Sequence, residues 1–118
     1  MSEMNETIAQ FKGWIISATE YCGHEIIGQS WKHLVDGMWV YEQPNFDHDA
    51  NLYMALFEEM AKSELLLTLR HYRPTDLWII EFYNENATKV EWRVDAEKSI
   101  GTAICKAYVK LHGLEFEE

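Results

Sequence analysis

Apolar residues recur along this chain with two different periods, and the change of period separates predicted helices from predicted strands. Near the start, helical spacing places four residues on one stripe: Met4, Ile8, Phe11 and Ile15. Gly13 interrupts this stripe, so the first helix is expected to end near residues 12–14. Residues 17–37 have a weaker pattern, in which short strands at Glu25–Ile27 and Trp31–Leu34 are open alternatives.

The middle of the chain predicts a strand followed by a helix. Met38–Gln43 alternates between two sets of side chains, as a strand does, and Pro44 ends it because proline cannot donate a backbone hydrogen bond. Asp47 or Asp49 suits the N-cap of a helix over residues 50–62, where Leu52, Leu56 and Met60 form one apolar row.

The last part of the chain predicts three strands and a final helix. Leu65–Arg70 is compatible with a strand, Leu77–Tyr83 is apolar on both faces as in a covered central strand, and Lys89–Val94 alternates strictly. Asp95 is a candidate N-cap for the helix, and Gly113 suits the residue that follows its last turn. The helix carries a wide apolar stripe: Ile100, Ala103, Ile104, Ala107, Tyr108 and Leu111.

These elements predict an α+β fold in the order α-β-α-β-β-β-α. Short connections favour antiparallel pairing, so we expect one antiparallel sheet of about four or five strands packed with three helices. The apolar Leu77–Tyr83 strand indicates helices on both faces of that sheet. At 118 residues the chain is expected to be a single domain over residues 1–118, with a short acidic tail at 114–118.

Charge changes the functional expectation. The net charge is −10, and it is uneven: residues 1–64 hold eleven acidic and three basic residues, whereas residues 65–118 hold nine and seven. Such a surface repels phosphate backbones and favours a basic partner, so we expect no direct nucleic-acid binding. The acidic start lacks the basic and apolar segments of a signal peptide, and no apolar run suits a membrane span, so a cytoplasmic location is expected.

Candidate chemistry is sparse. Asp47, His48 and Asp49 could hold a metal or act as acid and base, but capping explains an aspartate in this position directly and is the preferred interpretation. Arg70, His71 and Arg73 could hold the phosphates of a nucleotide. Neither cysteine lies in a paired metal-binding motif, and the six glycines form no phosphate loop. We therefore expect no enzyme activity, no metal and no cofactor, and keep a nucleotide-binding protein and a metal-dependent enzyme as alternatives.

The pattern resembles the phage ABA sandwich domain family. The resemblance is carried by a strand with a central Trp78 and by a closing helix with an Ala-Ile-Cys-x-Ala core (Ala103, Ile104, Cys105 and Ala107). Earlier matching features are Gly13-Trp14 after a short helix, and Pro44, Phe46, Asp47 and Asp49 before the next helix. The resemblance implies a sandwich of helices and an antiparallel sheet, a phage or prophage origin, and no established activity or catalytic residues.

The main hypothesis is a protein-binding factor that acts in the bacterial cytoplasm, such as an inhibitor of a host defence system. Its partner would be a bacterial or phage protein with a basic surface, and a homodimer is also open. Exposed aromatic side chains beside acidic ones would form the interface. The candidate partner-binding residues are Glu20, Glu25, Asp36, Trp39, Tyr41, Glu42, Asp47 and Asp49.

Overall fold

A computed structural model describes residues 3–18, 29–62, 66–83, 90–93 and 97–115 of the chain. In order, the elements are α1 (Glu3–Phe11), β1 (Ile15–Ala18), β2 (Gln29–Val35), β3 (Met38–Glu42), α2 (Ala50–Ala61), β4 (Leu66–Tyr72), β5 (Leu77–Tyr83), β6 (Val90–Arg93) and α3 (Ile100–Leu111). The α+β class, the three helices and the antiparallel pairing are confirmed.

The strands form two sheets where one was expected. The first sheet has the order β1-β2-β3 and the second has the order β4-β5-β6, and every pairing between neighbouring strands is antiparallel. The order of elements is therefore α-βββ-α-βββ-α within the described residues. The difference arises because Ile15 has the spacing of an α1 residue but begins β1, and because the sequence pattern predicts only residues 31–34 of β2. The alternative strand at residues 25–27 lies outside the described residues.

A tight turn between β2 and β3 fixes the register of the first sheet. Asp36 and Gly37 have φ values of 51° and 80°, and two consecutive positive values make a type I′ turn, whose twist matches that of paired strands. Glycine adopts this conformation freely and aspartate better than most residues. The turn places Val35 opposite Met38, and the remaining pairs follow from it.

The start of α3 differs from the predicted one. Its N-cap is Ser99, whose side chain accepts a hydrogen bond from the backbone N–H of Thr102. The expected cap, Asp95, lies outside the described residues and four positions before the observed cap. Glu97 precedes the helix: its backbone pairs with Trp78 at the start of β5, and its carboxylate binds Lys106. Gly113 follows α3 with φ of 64°, as expected of a helix C-terminus.

The core lies between the helices and one face of the second sheet. Ile80 and Phe82 of β5 are fully buried with the apolar stripe of α3, which the sequence predicted. The opposite face of this sheet contributes no residue to the core cluster in the described part of the chain, so helices on both faces are not observed. On that face, Glu81 is 3% exposed and pairs with Arg70.

The contact between α3 and the segment before α2 requires a glycine. A Cβ atom on Gly101 would collide with the backbone carbonyl of Asp47 and would lie 2.8 Å from the Tyr53 ring. The helix therefore approaches the backbone at a distance that only glycine permits. None of the helices in the described residues is long and apolar enough to cross a membrane.

Candidate protein-binding surface

The first sheet places a set of apolar side chains on one face. Side chains alternate along a strand, and paired residues on neighbouring strands share a face. Leu34 pairs with Trp39, while Lys32 pairs with both Ile15 and Tyr41, so these five residues lie on the same side. We call this set, Ile15, Lys32, Leu34, Trp39 and Tyr41, the open face.

The apolar members of the open face are exposed to solvent. The exposed fractions are 48% for Ile15, 58% for Leu34, 46% for Trp39 and 60% for Tyr41. The ammonium group of Lys32 lies 4.6 Å from the centre of the Trp39 ring, within the range of a cation–π interaction. A contiguous exposed group of large apolar side chains is typical of an interaction site.

The reverse face of the same sheet anchors it to the core. Trp31 is 1% exposed, and the Trp14 ring stacks on His33 with a centroid distance of 3.9 Å and nearly parallel planes. Phe46 is also buried, with its ring centre 5.1 Å from that of Trp14. The core covers only part of this reverse face, because Ile16, Val35 and Met38 on it are exposed.

A cleft of about 470 Å³ adjoins the open face where α1 leads into β1. Residues Lys12–Ile15 line one side, and His33, Leu34 and Trp39 line the other. The cleft forms because β1 begins at Ile15, opposite Lys32. Residues 33–35 of β2 therefore have no β1 neighbour, and the chain before Ile15 leads back into α1. An apolar side chain of a partner could enter this cleft beside Leu34 and Trp39.

The candidate acidic residues lie in different environments. Asp36 is exposed in the turn at the end of the sheet, whereas Glu42 lies on the reverse face with Oε1 3.4 Å from His33 Nε2. Asp47 accepts a hydrogen bond from the Asn5 side chain at 2.8 Å, and Asp49 is the N-cap of α2. Glu20 and Glu25 lie outside the described residues. Only Asp36 among the described candidates therefore combines a free carboxylate with a place at the edge of the open face.

The segment 47–49 is occupied by structural contacts. Asp49 Oδ1 accepts the backbone N–H of Asn51, and Asp47 holds the buried Asn5 through two hydrogen bonds. His48 is exposed, with Nε2 3.8 Å from Asp47 Oδ2. No group of three or more His, Cys, Asp or Glu side chains in the described ranges is arranged to hold a metal ion.

The proposed anion-binding residues already face carboxylates. Arg70 pairs with Glu81, and His71 Nε2 lies 2.7 Å from Asp76 Oδ1 while its ring stacks on Trp78. A phosphate would have to replace these carboxylates to bind Arg70 and His71. Arg73 is exposed in the turn that follows β4.

Among the described residues, the resolved pKa shifts belong to two residues of the core. Burial raises the pKa of the Cys105 thiol, and the charge of Asp47 raises it further. Burial also raises the pKa of the Tyr108 hydroxyl, which donates to the Glu59 carboxylate at 3.2 Å. Lys12, which follows α1, binds the same carboxylate, so Glu59 of α2 joins the end of α1 to α3. Both shifts favour the neutral form of a buried group, which stabilises packing and provides no activated nucleophile.

Sequence reasoning found Trp39 and Tyr41 but missed their neighbours Ile15 and Leu34. The signal for Leu34 was present, because Asp36-Gly37 between two alternating segments is a strong indicator of a hairpin. The signal for Ile15 was ambiguous, because its spacing from Phe11 also suits a helix.

A scan against protein-family models found no match for this chain, and searches of the curated proteins and of the solved structures found none either.

Proposed function

We propose that this chain is a non-enzymatic protein-binding factor and that the open face is its interface. The observation that carries the proposal is the exposure of four large apolar side chains on one face of a sheet whose opposite face packs on the core. Removing such side chains from water is favourable, and aromatic residues often dominate binding energies.

The partner is proposed to have an apolar patch within a basic surface. The chain has a net charge of −10, and Asp36 lies at the edge of the open face. Complementary charge would accelerate association and disfavour acidic competitors. Because exposed charges are screened by salt, this part of the interaction would weaken as ionic strength rises.

The proposed setting is the bacterial cytoplasm. The resemblance of the chain to the phage ABA sandwich domain family supports a phage or prophage origin. In that setting the basic partner would be a host or phage protein, and inhibition of a host defence protein is the role that we propose. An acidic surface that competes for a basic nucleic-acid-binding groove would provide the physical mechanism.

Affinity capture with two matched double variants tests the proposal. Leu34→Ser with Tyr41→Ser removes apolar groups from the open face, whereas Leu66→Ser with Tyr72→Ser removes similarly exposed groups from the second sheet. Captured bacterial proteins would be identified and quantified by mass spectrometry at low and high salt.

The expected result is a basic protein that the wild type and the second-sheet variant retain, that the open-face variant loses, and that high salt releases. Recovery of no specific protein would contradict the proposal. Equal retention by both double variants would also contradict it.

A further inference from the structure

The outer edge of β3 is unpaired in the described part of the structure. The first sheet has the order β1-β2-β3, so β3 pairs with β2 on one side only. The strand reads Met-Trp-Val-Tyr-Glu and contains no lysine, proline or bulge. Edge strands of this kind are templates for pairing with another chain, and natural proteins usually protect them with those features.

The type I′ turn determines which backbone groups point outward. In a hydrogen-bonded turn, the N–H of the fourth residue bonds to the carbonyl of the first, so Met38 directs its N–H toward Val35 and into the sheet. Backbone direction alternates along an antiparallel strand. The N–H and C=O groups of Trp39 and Tyr41 therefore point away from β2, toward the open edge.

We propose that β3 pairs in antiparallel orientation with β3 of a second copy of this chain, about a two-fold axis at Val40. In this register Trp39 of each copy lies opposite Tyr41 of the other. The outward backbone groups of these two residues then bond in both symmetry-related pairs. The two three-stranded sheets become one continuous six-stranded sheet.

The sequence of β3 is suited to pairing with itself. Aromatic residues flank the central Val40 on both sides, so each two-fold related pair joins one tryptophan to one tyrosine. The single charged residue, Glu42, lies opposite Met38 of the second copy, so no two like charges face each other across the strands. A shift to centre the pairing on Trp39 or on Tyr41 would match fewer outward groups and fewer aromatic pairs.

Edge pairing leaves the open face uncovered, since partner strands add beside β3 and not on top of it. The aromatic pairs lie on the same side as Leu34 and Ile15, so the dimer would present a face of twice the area. The inference does not depend on the proposed function, because it concerns pairing of the purified chain with itself. Salt has opposite expected effects on self-association and on partner binding. It screens the repulsion between two chains of charge −10 and so strengthens the dimer, whereas it weakens binding to a basic partner.

Light scattering after size exclusion tests the dimer, with variants that separate the backbone from the side chain. Tyr41→Pro removes an outward N–H, and proline is tolerated on an edge strand where that group faces solvent. Tyr41→Thr removes the same side chain but keeps the N–H. We expect the mass of the wild type to rise from 13.9 kDa toward twice that value with concentration, Tyr41→Thr still to dimerise, and Tyr41→Pro to remain monomeric.

Three outcomes would overturn the inference: a wild type that is monomeric at about 0.5 mM, a Tyr41→Pro variant that dimerises normally, or equal loss of the dimer in both variants. Circular dichroism would verify folding. If Tyr41→Pro does not fold, Met38→Glu decides, since Met38 is 72% exposed and the new carboxylate would face Glu42 of the second copy.

Because this repulsive pair occurs twice, we expect Met38→Glu to weaken the dimer by about tenfold. Tyr72→Glu adds the same charge at an exposed site of the second sheet and measures the general effect of charge. An equal effect of the two substitutions would overturn the register.

Discussion

The two sheets have the same local pattern but contribute unequally to the core. Each consists of three consecutive antiparallel strands. In the second sheet, Ile80 and Phe82 of the central strand are fully buried against the helices. In the first sheet, Trp31 is buried, but Trp39 and Tyr41 on the other face are about half exposed or more.

This difference shows that alternation identifies a strand without identifying the covered face. Both Trp31 and Trp39 belong to alternating segments, and only the three-dimensional contacts distinguish an anchor from an exposed aromatic residue. Burial of large apolar side chains lowers the free energy of the folded protein, so the buried Ile80 and Phe82 of the second sheet stabilise the fold. Those of the open face remain available for binding.

The largest expected effect separates the two sheets by stability. Phe82→Ala removes a fully buried ring and is expected to lower the free energy of unfolding by about 3–5 kcal/mol. Trp39→Ala removes a half-exposed ring and is expected to cost less than about 1 kcal/mol. Urea denaturation measures both, and Trp31→Ala is the control within the first sheet, with a cost similar to that of Phe82→Ala. A cost of Trp39→Ala equal to that of Trp31→Ala would contradict the proposed division.

A second prediction concerns the contact between α3 and the segment before α2. Alanine normally stabilises a helix by about 1 kcal/mol relative to glycine. At Gly101 the added methyl group would collide with the Asp47 backbone, so we expect Gly101→Ala to destabilise the protein by about 1–3 kcal/mol. The control is Thr102→Ala, which lies in the same turn and lacks this clash. Thermal or urea unfolding measures the effect. Stabilisation by Gly101→Ala would contradict the close contact between Gly101 and the Asp47 backbone.

Alkaline pH is expected to lower the free energy of unfolding through two residues of the core. The pKa of Cys105 and that of Tyr108 are raised in the folded state, so the unfolded chain loses these protons first as pH rises. Their stabilising contribution is complete below the ordinary thiol pKa of about 8.5 and declines above it. Between pH 8 and pH 10 we expect the free energy of unfolding to fall by about 1–2 kcal/mol.

Replacing Cys105 with alanine should reduce this dependence on pH, whereas Leu34→Ser with Tyr41→Ser should leave it unchanged. Urea midpoints at both pH values provide the comparison. An unchanged pH dependence after Cys105→Ala would show that the thiol is not the group responsible.

A smaller predicted loss of stability concerns the cap of α3. Ser99→Ala removes the acceptor for the Thr102 backbone N–H and is expected to cost about 1 kcal/mol. Ser99→Asp keeps an acceptor and should retain most of the stability. If Ser99→Ala left the free energy of unfolding unchanged, the helix would have to be capped by another residue.

The parts of the fold that local physics determines were predictable from sequence. The structure confirms the apolar stripe of α3 and the strands β3 and β5, and of the two predicted caps of α2 it selects Asp49. Each of these features depends on neighbouring residues. The separation into two sheets was not predictable in this way, because β1 pairs with β2 across a connection that the pattern did not identify. The open face was predicted only in part, since Leu34 and Ile15 join Trp39 and Tyr41 through strand register.

The central claim is that the first sheet, and not the second, binds a partner. Calorimetric titration of the captured partner with the two double variants would measure this. We predict that Leu34→Ser with Tyr41→Ser weakens binding by at least about tenfold, while Leu66→Ser with Tyr72→Ser leaves the dissociation constant unchanged. Equal affinities for both variants, or loss of affinity only in the second-sheet variant, would contradict the assignment of binding to the open face.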